Sequence, residues 1–328
     1  MSKKYLVTGA AGFIASHVNK QLLDQGNFVV GVDNLNDYYD IRLKNWRLDQ
    51  LKAHTNAKNF SFSDLDIEDQ ANLDDFFKVQ GPFDAVLNLA ARAGVRYSMV
   101  NPHVYLSTNT EGTLNLLECM CAHRCKKLVL ASTSSLYAGQ KMPFNEDLAV
   151  NEPLSPYAAS KKAGELMAYS YHKLYQLDIS IARYFTVFGP AGRPDMSIFR
   201  FIKWIDEGLP IEMFGDGSQS RDFTYVDDIA RGTIAAIKDV GYEIINLGGG
   251  KNPVSLNKII SRLEGLLGKK AKINHKSFHV ADLMETWADI SKAKNLLGWE
   301  PQVSLDEGLE KSVQWYINNQ HWLKEVHV

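Results

Sequence analysis

The chain has 328 residues, 45% hydrophobic and 23% charged, which suits one large domain or two intimate ones with full cores. Its 36 basic residues nearly balance 38 acidic ones, and a net charge of -2 leaves no polycationic footprint, which argues against nucleic acid as the main partner. No stretch approaches the roughly 18 consecutive apolar residues of a membrane span. The opening MSKKYLVTGA runs into an apolar strand with no signal-peptide apolar region, so the expectation is a soluble cytoplasmic protein without membrane insertion.

Short apolar, β-branched runs recur through the first 185 residues: YLVT (5–8), FVVGVD (28–33), FSFSDLD (60–66), AVLNLAA (85–91), KLVLAST (127–133) and ISIARYF (179–185). Stretches of helical length separate them, and strands alternating with helices imply βαβ units and a parallel sheet. Continuous apolar runs imply a sheet covered on both faces, so the expected fold is α/β and doubly wound. Beyond residue 185, glycine and proline punctuate the chain in FGPAGRPD, EGLP, FGDGSQ and LGGGKNP, which predicts a smaller second lobe. The segment FTYVDDIARGTIAAI (223–237) reads as helix and YEIINLG as strand, so the chain returns to the first lobe there. The expected division is residues 1–185 plus 223–248 for one domain and 186–222 plus 249–328 for an interleaved, substrate-binding C-terminal one.

LVTGAAGFIASHV joins the first strand to a helix. Gly9 can take the tight turn and Gly12 lets backbone approach a ligand closely. The helix start at Phe13 and Ile14 then offers free N–H groups and partial positive charge to a pyrophosphate. The spacing is GxxGxxA, with Ala15 third, and glycines at such a corner can serve the turn alone. Asp33 ends the second strand 24 residues after Gly9, followed by Asn34. An acid there bonds a ribose 2′-hydroxyl and repels a 2′-phosphate, which favours NAD over NADP. Asp66 and Ile67 close the third strand, where an adenine edge would lie. The order of strand, loop, helix and acid points to a Rossmann-type dinucleotide domain.

SPYAASKKAGE (155–165) places Tyr157 and Lys161 one helical turn apart on one face, with only Ala158, Ala159 and Ser160 between. The plain alternative is one core tyrosine and one solvated lysine. A free phenol, with a pKa of about 10, is a poor base at neutral pH. A nearby ammonium and a positive nicotinamide would lower that value, as general acid–base catalysis requires. LVLASTSSLYA supplies Ser132, Thr133, Ser134 and Ser135 at the carboxyl end of a strand, the edge where open α/β sheets bind ligands. Cys119, Cys121 and Cys125 lack CxxC spacing and an obvious fourth ligand, so buried thiols are expected and no metal site.

TGAAGFIAS, VDN, LDI, NLAA, STNTEGT, STSSLY, YAASK and RDFTYVDD together resemble the extended short-chain dehydrogenase/reductases over nearly the whole chain, and within them the nucleotide-sugar 4-epimerases. The resemblance implies Tyr157 as base, Lys161 as its electrostatic partner and ribose ligand, and Thr133 with Ser134 or Ser135 on the reacting sugar oxygen. It places Leu89, Ala90, Ala91, Asn109 and Tyr184 along the cofactor. YFTVFGPAGRPDMS is similar to the segment of UDP-glucuronic acid 4-epimerases in which an arginine, here Arg193, reaches the sugar carboxylate, with Thr186 in the same pocket. A planar guanidinium matches a carboxylate bidentately, although a loop surface charge is the simpler reading of Arg193. NLAARAGVRYS resembles the same subgroup and implies Arg96, Tyr97 and Ser98 near substrate, with Arg92 where glutamine is common. Arg221 matches the family's phosphate arginine and Asp282 its ribose-side position, while Ala138 and Ala281 replace usual glycines.

The implied reaction is interconversion of UDP-glucuronic and UDP-galacturonic acid by transient C4 oxidation with tightly bound NAD. Related 4,6-dehydratases carry Asp–Glu after the active-site threonine, and uronate decarboxylases a glutamate before Val–Tyr. Here Ser134 and Ser135 offer no carboxylate, which favours epimerisation. The alternatives are a 4-epimerase of a neutral or N-acetylated UDP-hexose, and a non-catalytic NAD-binding sensor. Helices near 101–124 and 157–176 carry apolar residues on more than one face, and the resemblance implies a homodimer through a four-helix bundle.

Overall fold

Seven parallel strands form the central sheet of the computed structural model, which describes residues 2–250, 253–277 and 283–328. Six are β1 (Lys4–Thr8), β2 (Phe28–Asp33), β3 (Phe60–Asp64), β4 (Ala85–Asn88), β5 (Lys127–Thr133) and β6 (Asp178–Tyr184), and the seventh is Tyr242–Leu247. Across the sheet the order is β3-β2-β1-β4-β5-β6 and then Tyr242–Leu247, so the winding reverses between β1 and β4. That reversal opens a crevice at the carboxyl ends of the strands.

Successive side chains of each strand enter opposite layers. Tyr5 and Val7 pack with Val18, Leu22 and Leu23 of α1 (Phe13–Asp24), whereas Leu6 packs with Leu116, Leu117 and the α3 helix (Gln70–Gln80) through Leu73 and Phe77. Between them in the chain, α2 (Ile41–Lys52) starts on Asp40, whose side chain accepts a hydrogen bond from the Arg42 backbone N–H. A further core, built on Phe199, Ile202, Ile205, Ile229 and Trp299, belongs mostly to residues after 185. The doubly wound α/β expectation holds. Ala15 is 1% exposed inside the α1 layer, so its methyl fills the packing rather than disturbing it.

Two local expectations change. β3 ends at Asp64, which leaves Asp66 and Ile67 in the loop beyond rather than closing the strand. Phe223–Tyr225 is a strand paired in parallel with Thr186–Phe188, and helix begins only at Val226. Two aromatics around a threonine favour the strand, and Asp227 and Asp228 suit a first helical turn. The helix expected near 101–124 runs without a break from His103 to Ala122, with a π-turn at Ser107–Glu111, and a separate short helix Val95–Val100 precedes it. Proline biases the residue before it away from helix, and Asn101, at φ -135 and ψ 79, separates the two.

The Pro156–Tyr175 helix carries Tyr157 and Lys161. Ser155 caps it by accepting the Ala158 N–H at 3.1 Å, with proline first inside, where its missing N–H costs nothing. One turn past Lys161, Glu165 accepts from Arg183 of β6 through Nε at 2.9 Å and Nη2 at 2.7 Å, and from Ser132 of β5 at 2.6 Å. Arg183 Nη1 also donates to the Tyr137 hydroxyl, which donates to Asn246 of the last sheet strand, both at 2.8 Å. This buried set pins the helix to three strands. Glu165→Ala leaves Arg183 buried without its counter-charge, so an unfolding free-energy loss of about 3–5 kcal/mol is expected in a denaturant titration.

Candidate active site

A cleft of about 430 Å³ lies over the carboxyl ends of the strands, between the α1 start, the Pro156–Tyr175 helix and the loop after β6. Gly9, Gly12, Phe13, Ile14, Thr133, Ser134, Ser135, Tyr157, Lys161, Tyr184, Thr186, Arg193 and Arg221 all line it, as expected of them. A narrower arm runs past Gly9 and Gly12 to Asp33, Asn34, Asp66, Ile67 and the Leu89–Ala91 loop.

The geometry of the arm follows from the chain's local rules. Gly9 has φ +66, and a Cβ there would lie 2.8 Å from the Ala90 backbone; a Cβ on Gly12 would lie 2.8 Å from the Gly9 carbonyl. Both positions therefore exclude a side chain and bring backbone close to whatever fills the arm. Asp33 accepts from the Ala11 N–H at 3.2 Å and the Leu35 N–H at 2.9 Å, and Lys44 stands 3.7 Å away. Asn34 donates to Asp66 at 2.7 Å, which fixes the far wall. Asp66 and Ile67 reach the arm from their loop.

In the wider part of the cleft Tyr157 is partly buried beside Thr133, with the Tyr105 ring edge-on at 6.0 Å. Burial pushes the phenol above its ordinary value, outweighing the Thr133 hydrogen bond and the positive charge of Arg193. Burial also lowers Lys161 to about 8, against the opposing pull of Glu165. Burial thus disfavours both charged forms, while Thr133, Arg193 and Glu165 pull the other way. Ala158 and Ser160 face inward, 1% and 3% exposed, and pack the helix down.

Arg193 reaches the cleft with one edge of its guanidinium engaged: Nε donates to Asp195 Oδ1 at 3.0 Å and Nη2 to Oδ2 at 2.5 Å. Nη1 makes no hydrogen bond among the described residues, and the Tyr38 ring lies 5.7 Å from the guanidinium carbon. The same Tyr38 ring faces Arg92 at 5.9 Å. Tyr38 and Tyr39 line the cleft and escaped the sequence reading; the polar NDYYD run after the ribose-side acid was the available signal.

Some expected residues stand elsewhere. Arg96, Tyr97 and Ser98 do not line the cleft; Ala93, Gly94 and Val95 do. The helix beginning at Val95 turns the next residues away: Arg96 stacks on Phe214 at 3.8 Å, Tyr97 is 45% exposed, and Ser98 bonds the Val95 carbonyl. Asn109 is buried beside the cleft and brackets Arg92, donating to its carbonyl and accepting its N–H, both at 2.9 Å, while also donating to Ser160. It positions the wall rather than forming it. Asp282 and Ala281 lie outside the described residues. Ala138 has φ -52, a backbone angle that any residue adopts. Burial pushes the Cys119 and Cys125 thiols up to about 12 and 11, and no metal-binding cluster occurs among the described residues.

Comparison with known proteins agrees with this geometry. The NAD dependent epimerase/dehydratase family model matches residues 5–248. The UDP-glucuronate 4-epimerase of Thermodesulfobacterium geofontis (strain OPF15) is 61% identical over 324 residues, 99% of each chain. The crystal structure of UDP-glucuronic acid 4-epimerase from Bacillus cereus, in complex with UDP-glucuronic acid and NAD, superposes with a TM-score of 0.89 at 40% identity, covering 96% of this chain and 99% of that one. UDP-glucose 4-epimerase from Thermotoga maritima, with UDP-glucose, superposes with a TM-score of 0.84 at 30% identity, covering 97% and 99%. The chain belongs to the NAD dependent epimerase/dehydratase family.

Proposed function

We propose that the chain is a UDP-glucuronate 4-epimerase, an isomerase that interconverts UDP-glucuronic and UDP-galacturonic acid with bound NAD. The observation that carries this is one cleft holding Tyr157, Lys161 and Thr133 together with Arg193, a cation placed to meet a carboxylate. The cofactor fits the residues present. Gly9 and Gly12 leave room for a pyrophosphate against Phe13 and Ile14 at the α1 N-terminus, Asp33 meets a ribose, and Asn34, Asp66 and Ile67 bound the adenine end.

Held by these residues, NAD would supply the acceptor for the C4 hydride and the donor for its return to the opposite face of the sugar. Tyr157 takes the proton of the 4-hydroxyl and later gives it back. Burial holds the phenol protonated, so its deprotonation is tied to a filled, positively charged cofactor site. Thr133, with Ser134 or Ser135, orients the reacting oxygen by hydrogen bonding. The 4-keto uronate is a β-keto acid and loses carbon dioxide when its C5–carboxyl bond aligns with the carbonyl π system. Arg193 and Thr186 hold that bond near the carbonyl plane. Ser134 and Ser135 carry no acid, so elimination and decarboxylation have no agent there. Arg221 and Asp282 serve the nucleotide diphosphate and its ribose.

The same reading assigns residues 1–185 plus 223–248 to cofactor and 186–222 plus 249–328 to the nucleotide sugar. It takes the chain as a cytoplasmic homodimer. Exposed Leu166 at 53% and Leu174 at 71% on the Pro156–Tyr175 helix, with Leu106 at 57% nearby, support a four-helix interface, read by sedimentation. No described helix is long and apolar enough to cross a membrane.

The Asp195 partner of Arg193 favours the second reading, a neutral UDP-hexose as substrate, because part of the guanidinium is already neutralised. NMR of products from UDP-glucuronate, UDP-glucose and UDP-N-acetylglucosamine decides between them: the proposal requires galacturonate to form fastest. Arg193→Ala is expected to slow UDP-glucuronate epimerisation about 100-fold, as loss of a charge-assisted bidentate contact does, and to raise leakage to pentose product. Unchanged turnover removes the assignment. Tyr157→Phe is expected to abolish epimer formation by the same assay, with the fold retained.

Lys161→Met is expected to lose activity yet gain stability. The amine is held at about 8 in the fold against an ordinary 10.5, so folding disfavours the cation. That destabilisation is complete below pH 8 and fades as pH rises from about 8 to 10.5. Removing the amine therefore stabilises by about 3 kcal/mol at pH 7, less at pH 9 and nothing above the ordinary value, as urea titrations at each pH will read.

A further inference from the structure

The α2 helix carries a buried arginine that joins the two halves of the cleft. Arg47 is 1% exposed. Its Nε and Nη2 donate to the Ala191 carbonyl at 3.0 and 2.7 Å, and Nη2 also to Gly192 at 3.2 Å. Its Nη1 donates to the Ala11 carbonyl at 3.0 Å and the Tyr39 hydroxyl at 2.6 Å. The Phe13 and Tyr39 rings stand 6.0 and 5.4 Å from the guanidinium carbon. Every partner is a carbonyl or hydroxyl oxygen, and among the described residues no carboxylate pairs with Arg47. The side chain therefore acts through the direction of its hydrogen bonds, and its burial is supported by nearly all its donors.

Each end of this bridge is part of the site. Ala11 lies between Gly9 and Gly12, and its N–H donates to Asp33, so the phosphate loop is held from both sides. Ala191 and Gly192 immediately precede Arg193. Ala191 adopts φ +52, a left-handed conformation that a residue with a Cβ disfavours, and two of the Arg47 hydrogen bonds fix its carbonyl. The continuous path is Asp33, Ala11, Arg47, Ala191 and Arg193.

We propose that Arg47 is a specificity-determining positioning residue. It sets the Arg193 loop against the phosphate loop, and so fixes where a sugar carboxylate is read relative to the cofactor. This rests on the proposed role of Arg193 in binding that carboxylate. A lysine keeps the charge but presents a single point of donors, which cannot span carbonyls on opposite sides.

The test is calorimetric titration of UDP-glucuronate, UDP-glucose and UDP into cofactor-loaded wild type, R47K, R193A and the double variant. R47K is expected to weaken UDP-glucuronate about tenfold and the two neutral-sugar or sugar-free ligands less than twofold. In the R193A background R47K is expected to add nothing, because both act through one contact. Should R47K not fold, R47M, uncharged and close in length, takes its place in the same cycle. Equal weakening of all three ligands, full additivity with R193A, or no weakening at all overturns the proposal. If R193A itself leaves the preference for UDP-glucuronate unchanged, the reading of Arg193 fails first; if R193A loses it while R47K does not, only the Arg47 proposal fails.

Discussion

Removal of water from one phenol and one amine sets the terms for the whole cleft. Tyr157 and Lys161 share a helix face, and burial works against the charge on each, raising the one and lowering the other. A buried pair of this kind persists only if the surrounding structure holds it, since neither group gains from enclosure. The hold is visible behind the helix, where Glu165 is gripped by Arg183 and Ser132 from two strands. The arrangement keeps the phenol a proton donor by default. Positive charge brought in beside it would favour the phenolate.

A second constraint is the distance between cofactor and sugar recognition, which belong to different parts of the chain. The phosphate loop follows β1, and Arg193 lies on the loop after β6, 184 residues after Gly9. Their relation cannot come from local geometry. Backbone carbonyls on both loops converge on one guanidinium, and Tyr38 places an aromatic ring between Arg92 and Arg193. These contacts make the cleft one object. A shift of either loop would move the carboxylate site relative to the hydride path.

The parts legible in the sequence were those with short-range signatures. Alternating strands and helices gave the doubly wound sheet, the glycine spacing gave the tight corner after β1, and YAASK put Tyr157 and Lys161 on one helix at the cleft. Each of these depends on residues within one or two turns of each other. What escaped depended on partners far apart in the chain. The resemblance names Asn109 along the cofactor, but no spacing rule exposes its hold on Arg92 and Ser160 from a π-turn. The resemblance puts Arg96 and Tyr97 near substrate, yet the cleft wall stops at Val95, where a helix starts, and Tyr97 packs against the Tyr38 ring instead. Asp195 is two residues from Arg193 and still went unread, because the fork between them is a matter of rotamer and loop shape. Tyr225 reads as helix from its neighbours and is strand because Phe188 offers it a partner.

In the proposed reaction the hydride leaves and re-enters C4 of an acidic sugar nucleotide, while the proton leaves and returns to its 4-hydroxyl oxygen. Incubation of the protein with UDP-glucuronate deuterated at C4, followed by NMR of the product, tests it most directly. The account predicts UDP-galacturonate with the deuterium kept at C4, since the hydride never exchanges with water. Inverted product that has lost the label, or no inversion at all, would contradict it.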